Sequence, residues 1–93
     1  MADDDDATEL PIDGVLDLHT FRPGEVKALM TDYLAECRAR GILEVRIIHG
    51  KGTGALRHTV HAALERVGGV ARFRLADDAS GWGATIVTLQ PLG

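Results

Sequence analysis

The chain has few of the features that would place it outside the cytoplasm or in a membrane. Its one cysteine, Cys37, cannot form an internal disulfide, and its N-terminus lacks the basic and then apolar pattern of a secretion signal. No apolar run approaches the length that is needed to cross a bilayer. We therefore expect a cytoplasmic domain without a membrane partner.

Aromatic residues are also scarce. The 93 residues include Phe21, Tyr33, Phe73 and Trp82 and no other aromatic residue of the Phe, Tyr and Trp types. Because 45% of the residues are nevertheless hydrophobic, the core must be mainly aliphatic. A chain of this length has room for one such core, so we expect one small domain that is stable as a monomer.

The chain has no excess of positive charge, since its formal net charge is -4. Five of its acids lie in an N-terminal run that is almost free of apolar residues, and without them nine acids oppose ten bases. We predict a disordered acidic tail over residues 1–10 and a folded, nearly neutral domain over residues 11–93. Any binding of a polyanion must then depend on a local patch.

Hydrophobic periodicity predicts the element order βαβαββ. The hydrophobic pattern predicts strands over residues 14–19, 44–49, 70–75 and 84–89. Apolar residues three and four positions apart predict two helices, the first starting at Pro23 and the second near Leu56. The first three strands should be parallel neighbours joined by right-handed crossovers, with the fourth antiparallel to the third. The predicted fold class is α/β, an α+β sandwich in which a four-stranded mixed sheet carries two helices.

Polar and glycine-rich segments follow the first two strands and precede the fourth, so this topology brings them to one edge of the sheet. The segment after the second strand has the clearest chemistry: glycines let backbone N–H groups approach an anion, and a lysine, a threonine and an arginine can hold it. Its residues are Gly50, Lys51, Gly52, Thr53 and Gly54, followed by Arg57 in the first helical turn. The spacing fits neither a Walker loop nor a dinucleotide fingerprint, and Thr53 could also cap the helix.

Histidines near this loop are candidates for proton transfer. Asp17 and His19 lie on one face of the predicted first strand and could form a carboxylate–imidazole pair. His19 or His49 would act as general acid or base. Asp17 would orient an imidazole or help to hold a divalent cation. The alternative is a strand-end aspartate bonded to nearby backbone. Trp82 could stack on an unpaired base or simply cover the sheet edge.

The remaining histidines carry no prediction of function. His58 and His61 fall outside the apolar stripe of the second helix, so we expect solvated surface residues. Four histidines and one cysteine show no zinc spacing, so no structural metal is predicted.

These residues resemble the Smr (small MutS-related) domain family from Val15 to Leu89. The resemblance rests on three blocks, which are Leu16-Asp17-Leu18-His19, His49-Gly50-Lys51-Gly52-Thr53-Gly54 with Leu56-Arg57, and Gly83-Ala84-Thr85-Ile86-Val87 with Leu89. It implies a fold like the C-terminal domain of bacterial translation initiation factor three, DNA or RNA binding and, in several members, nicking or cleaving nuclease activity. The family's first block usually ends in glycine, where this chain has Thr20.

The leading hypothesis is a nucleic-acid-binding domain with endonuclease activity, with or without Mg²⁺ or Mn²⁺, in DNA repair, recombination or RNA processing. Lys51, Arg57 and the loop amides would hold the phosphate while Asp17, His19 and His49 carry proton transfer. A binding-only module, a protein-interaction or regulatory domain, and a hydrolase of a small phosphorylated metabolite stay open. Since many members of the family carry this domain beside other domains, targeting could depend on a partner protein.

Overall fold

The computed structural model describes residues 12–50, 54–76 and 83–92. Within these ranges the elements are β1 (Val15–Asp17), α1 (Pro23–Ala39), β2 (Glu44–Ile48), α2 (Ala55–Leu64), β3 (Val70–Leu75) and β4 (Ala84–Leu89). The order βαβαββ is confirmed, while the predicted tail over residues 1–10 lies outside the described residues. Neither helix in the described ranges has the length and apolarity that a membrane span requires.

Helix α1 begins where the sequence predicts. Pro23 occupies its first turn, where a residue without an N–H loses no helical hydrogen bond. The Glu25 carboxylate accepts a hydrogen bond from the Arg22 backbone N–H at 3.1 Å and lies at the positive end of the helix dipole. These local features determine where the chain leaves β1 and starts its first crossover.

The four strands form one mixed sheet in the order β1-β2-β4-β3. β1 is parallel to β2, and β4 is antiparallel to both β2 and β3. The predicted antiparallel pairing of β3 with β4 is confirmed. The prediction that β2 and β3 are neighbours is wrong, because β4 lies between them.

The composition of the last two strands accounts for this order. β3 carries two exposed arginines, Arg72 and Arg74, whereas β4 has no charged residue and is buried along most of its length. A central strand is covered by neighbours on both sides, while an edge strand tolerates charge and even benefits from it. The hairpin therefore folds so that its apolar strand is central.

Both helices pack on one face of the sheet, here called the helix face. Leu16, Val45, Ile47 and Val87 belong to one buried cluster with residues of both helices, such as Val26, Met30, Val60 and Leu64. A smaller cluster of Ala76, Ala84 and Ile86, with Ile48 against it, occupies the opposite face, here called the second face. Since side chains alternate along each strand, neighbouring residues at a strand end lie on different faces.

Candidate functional site

The polar segments meet at one edge of the sheet, as predicted. The Leu18 N–H donates to the Ile48 carbonyl at 2.9 Å, which joins the end of β1 to the end of β2. The Gly83 carbonyl accepts hydrogen bonds from the N–H groups of His49 and Gly50, at 2.9 and 2.8 Å, which joins β2 to the start of β4. Residues that are far apart in sequence thus share one edge.

Asp17 and His19 form the carboxylate–imidazole pair that their spacing predicts. The Asp17 Oδ1 atom lies 2.7 Å from Nδ1 of His19 and also accepts the His19 backbone N–H at 3.0 Å. These two hydrogen bonds lower the pKa of Asp17 below its ordinary value of 3.8. At neutral pH Asp17 is ionised and can only accept, so Nδ1 of His19 is the donor.

The pair is open to solvent, with Asp17 on the second face at the end of β1 and His19 in the turn that follows. The His19 side chain is 72% exposed and that of Asp17 46% exposed, and Leu16 and Leu18, which alternate with them, are buried on the helix face. With its proton on Nδ1, the neutral His19 ring carries its lone pair on Nε2. This arrangement can take a proton from a molecule that approaches from solvent.

His49 occupies a different environment. Its side chain alternates with Val45 and Ile47, is only 6% exposed and belongs to the helix face. Nδ1 lies 3.0 Å from the Gly50 carbonyl oxygen, and Nε2 lies 2.8 Å from the Thr85 hydroxyl oxygen. The structure therefore brings Asp17 and His19 together in solvent and holds His49 on the helix face.

Sequence reasoning missed two residues of this buried cluster, Thr85 and His61. Thr85 is fully buried, and its hydroxyl oxygen also lies 2.8 Å from Nε2 of His61. The His61 ring meets the His49 ring edge-on, with centroids 6.1 Å apart, and packs on Phe73 at 5.0 Å. The prediction that His61 is solvated is therefore wrong, whereas His58 is exposed as predicted.

Signals for both residues were available. Thr85 alternates with Val87 and Leu89, which are buried, and on a helical wheel His61 lies about 60° from Leu64, at the border of the apolar stripe. Burial lowers the pKa of His61 below its ordinary value of 6.5, and the neighbouring His49 and Arg57 lower it further. The contact between His61 and the buried Thr85 hydroxyl could not be predicted from α2 or from β4 alone.

The loop between β2 and α2 has glycine where the backbone requires it. Gly50 and Gly54 have φ of +78° and +89°, a region that side chains disfavour. Gly54 is the N-cap residue, so the capping position considered for Thr53 falls on a residue without a side chain. A Cβ at Gly54 would lie 2.9 Å from Nη2 of Arg57, which places that guanidinium against the start of the helix.

Several predicted site residues lie outside the described residues, namely Lys51, Gly52, Thr53 and Trp82. Thr20, where the family pattern usually has glycine, is exposed in a turn that the Phe21 N–H closes onto the Leu18 carbonyl at 2.9 Å. No non-glycine residue in the described ranges has a positive φ, so this turn accommodates threonine without backbone strain. Those ranges contain no group of three or more His, Cys, Asp or Glu side chains that could hold a metal ion.

Comparison with known sequences identifies relatives along most of the chain. The Smr domain family matches residues 16–90. Endonuclease MutS2 of Agathobacter rectalis is 42% identical over 67 residues, which cover 71% of this chain and 8% of that protein. The Thermus thermophilus protein of the same name is 39% identical over 77 residues, which cover 82% of this chain and 10% of that protein. The chain thus spans about a tenth of the length of these curated relatives.

Solved structures show the same fold. The crystal structure of the Smr domain of Thermus thermophilus MutS2 superposes with a TM-score of 0.79 at 38% identity, covering 85% of this chain and 100% of that chain. YdaL, a stand-alone small MutS-related protein from Escherichia coli, superposes with a TM-score of 0.77 at 25% identity, covering 91% and 70%. The resemblance and the fold class predicted from the sequence are both confirmed, and the chain belongs to the Smr domain family.

Proposed function

We propose that this domain binds DNA or RNA at the carboxyl edge of its sheet and cleaves a phosphodiester bond there. The observation that carries the proposal is the Asp17–His19 pair, which faces solvent at the edge where β1 and β2 end. Curated relatives with the same domain carry the name endonuclease, which supports the choice of reaction.

Phosphate binding is assigned to the loop and the start of α2. Gly54 is the N-cap of α2, where the helix presents its first backbone N–H groups, and the first turn contains no acidic residue that would repel an anion. Arg57 holds its guanidinium at the same helix end. In this proposal Lys51, Gly52 and Thr53 complete the phosphate contacts, and Trp82 stacks on a base.

Proton transfer is assigned to His19. Nε2 of the neutral ring accepts a proton from water while the water oxygen bonds to phosphorus, and the bond from phosphorus to the leaving oxygen breaks as that oxygen takes a proton from solvent. The ionised Asp17 holds the ring in the required tautomer and stabilises the imidazolium that forms. His49 is the competing candidate for the same role, and the experiment separates the two.

A divalent cation fits the chemistry of the residues present. Mg²⁺ and Mn²⁺ bind carboxylate and phosphate oxygens, often through one protein carboxylate together with substrate phosphates, and Asp17 would supply that carboxylate. A bound cation would polarise a phosphoryl oxygen. The steps assigned to His19 and Arg57 do not depend on it.

The test is incubation of the pure protein with supercoiled plasmid, single-stranded DNA and structured RNA, with and without Mg²⁺ or Mn²⁺. The variants His19→Ala and His49→Ala are compared with His58→Ala, which removes an exposed histidine of α2 as a matched control. We expect His19→Ala to lower the cleavage rate by about 10²–10⁴-fold and to retain binding. A cleavage rate that stays near wild type in His19→Ala rejects the assignment, and binding of the wild type without any cleavage supports a non-catalytic module instead.

Salt dependence distinguishes the remaining alternative of a protein-interaction or regulatory domain. Contacts to phosphates release counterions, so the affinity for nucleic acid must fall as salt rises. We expect a negative slope of log affinity against log salt for the intact protein. An absent or salt-insensitive affinity for all three nucleic acids rejects the proposed function.

A further inference from the structure

The buried hydroxyl of Thr85 lies between two histidines. Nε2 of His49 and Nε2 of His61 each lie 2.8 Å from its oxygen. His49 follows the end of β2, and His61 belongs to α2. Thr85 is 0% exposed and His49 6% exposed, so water has little access to the bond between them, while His61 is half-buried. Three elements that are distant in sequence therefore meet at one polar atom inside an aliphatic core.

The partners of these atoms determine where the protons are. The Gly50 carbonyl can only accept, so Nδ1 of His49 carries a hydrogen and donates to it across 3.0 Å. In a neutral ring Nε2 then has the lone pair, and the Thr85 hydroxyl donates to it. The hydroxyl oxygen in turn accepts the Nε2–H of His61.

This chain of hydrogen bonds ends on the first residue of the glycine-rich loop. Gly50 has a φ of +78°, and its N–H is already held by the Gly83 carbonyl at 2.8 Å. The bond from His49 holds the other side of the residue, its carbonyl. Since a peptide is planar, a fixed carbonyl also fixes the plane in which the chain enters the loop.

We propose that Thr85 and His61 are positioning residues of the loop, which act through His49 on the Gly50 carbonyl. The consequence for ligand binding rests on the proposed function, because it assumes that the loop holds a phosphate. Without the Thr85 hydroxyl, Nε2 of His49 loses its donor, so the ring is held less firmly and its Nδ1–H bond to the Gly50 carbonyl weakens. The loop must then be ordered at the moment of binding, which weakens the affinity.

The test compares Thr85→Val, which removes the hydroxyl at nearly the same shape, with Thr85→Ser, which keeps it. His61→Leu and His61→Gln form a second pair, since glutamine keeps an N–H donor. His58→Gln on the exposed side of α2 is the matched control. The readouts are the ¹⁵N shifts of the His49 ring, the ¹³C shift of the Gly50 carbonyl, and the Kd for a short single-stranded oligonucleotide, with thermal unfolding to confirm that each variant folds.

We expect the wild-type ring to be the Nδ1–H tautomer. Thr85→Val and His61→Leu should shift both NMR signals and raise the Kd by about tenfold, the effect of losing about one hydrogen bond. Thr85→Ser, His61→Gln and His58→Gln should stay near wild type. If Thr85→Val is unfolded, His61→Leu and Thr85→Ser still provide the comparison.

Two outcomes separate this proposal from the proposed function. Unchanged NMR signals in a folded Thr85→Val or His61→Leu overturn the positioning role even if the wild type binds nucleic acid. Shifted signals with an unchanged Kd overturn the coupling to the loop. If the wild-type protein does not bind the oligonucleotide, the proposed function fails, while the NMR signals still decide whether the hydrogen-bond chain holds Gly50.

Discussion

Two histidines lie at the same edge of the sheet and have opposite surroundings. His19 is 72% exposed in the turn after β1 and has one ionised partner, Asp17. His49 is 6% exposed on the helix face, and both of its ring nitrogens have neutral partners. The same side chain is therefore open to ligands in one place and enclosed by hydrogen-bond partners in the other. The face of the sheet, more than the residue type, determines what each can do.

The difference follows from solvation. The exposed His19 imidazole is reached by water and has a carboxylate as its partner. A buried imidazole between a hydroxyl and a carbonyl has no such support and is more useful as a fixed hydrogen-bonding group.

The largest effect is expected for His19→Ala. Removal of a general acid or base lowers rates by about 10²–10⁴-fold, while the phosphate contacts of the loop and Arg57 stay in place. Single-turnover cleavage and Kd, measured on the same substrate, should therefore show a rate loss with nearly unchanged binding. The assignment of proton transfer to His19 alone is contradicted if His49→Ala lowers the cleavage rate as much as His19→Ala does, with no change in Kd or in the ¹³C shift of the Gly50 carbonyl.

The free energy of unfolding should depend more on the buried site around His49 than on the exposed Asp17–His19 pair. Thr85→Val leaves the buried Nε2 of His49 and the half-buried Nε2 of His61 without their partner, so the free energy of unfolding should fall by about 1–3 kcal/mol. Asp17→Asn changes an exposed pair, and its effect should stay within about 0.5 kcal/mol. Urea unfolding of both variants measures this contrast, and Thr85→Ser is the control. Equal losses for the two variants would contradict the distinction between a buried and an exposed site.

A smaller effect is expected for Arg57→Gln. One lost phosphate contact should reduce the slope of log affinity against log salt by about one and weaken binding to all sequences alike. Arg66→Gln removes an exposed arginine just after the end of α2, beyond its carboxyl end, and should leave the slope unchanged. Titrations at several salt concentrations test this, and an equal change in both variants would show a diffuse electrostatic effect with no local phosphate site.

The smallest effect is the pH dependence of stability. The pKa of His61 is lower in the folded chain than its ordinary value of 6.5, so the unfolded chain binds the proton more readily and the free energy of unfolding decreases as pH falls below about 6.5. The lowered pKa of Asp17 has the same sign, but its window lies below 3.8. Unfolding between pH 7.5 and 5 should thus depend less on pH in His61→Gln. The exposed His58→Gln should behave like the wild type, and a reversed slope would exclude a neutral buried His61.

Much of the fold could be predicted because it depends on local patterns. Periodicity located every described element, and Pro23 marked the start of α1, since these features act over a single turn or a few residues. The Asp17–His19 pair was also predictable from its two-residue spacing, although β1 ends at Asp17 and the contact forms in the turn that follows. The central position of β4 was missed because it depends on which strand of the β3–β4 hairpin can be buried between two neighbours. The arginines of β3 indicated that β3 belongs at the edge.

The sequence by itself determined the element order, the family and the edge at which the polar segments meet, because alternation, glycine positions and short motifs are properties of the chain read in order. Only the tertiary structure decided which histidine faces solvent and which is buried. That outcome depends on the pairing of Ile47 with Thr85 and on the packing of α2, which bring His49, Thr85 and His61 to one point. Hydrogen bonds between residues 24 and 36 positions apart have no local signature, because they form only once the layers have packed.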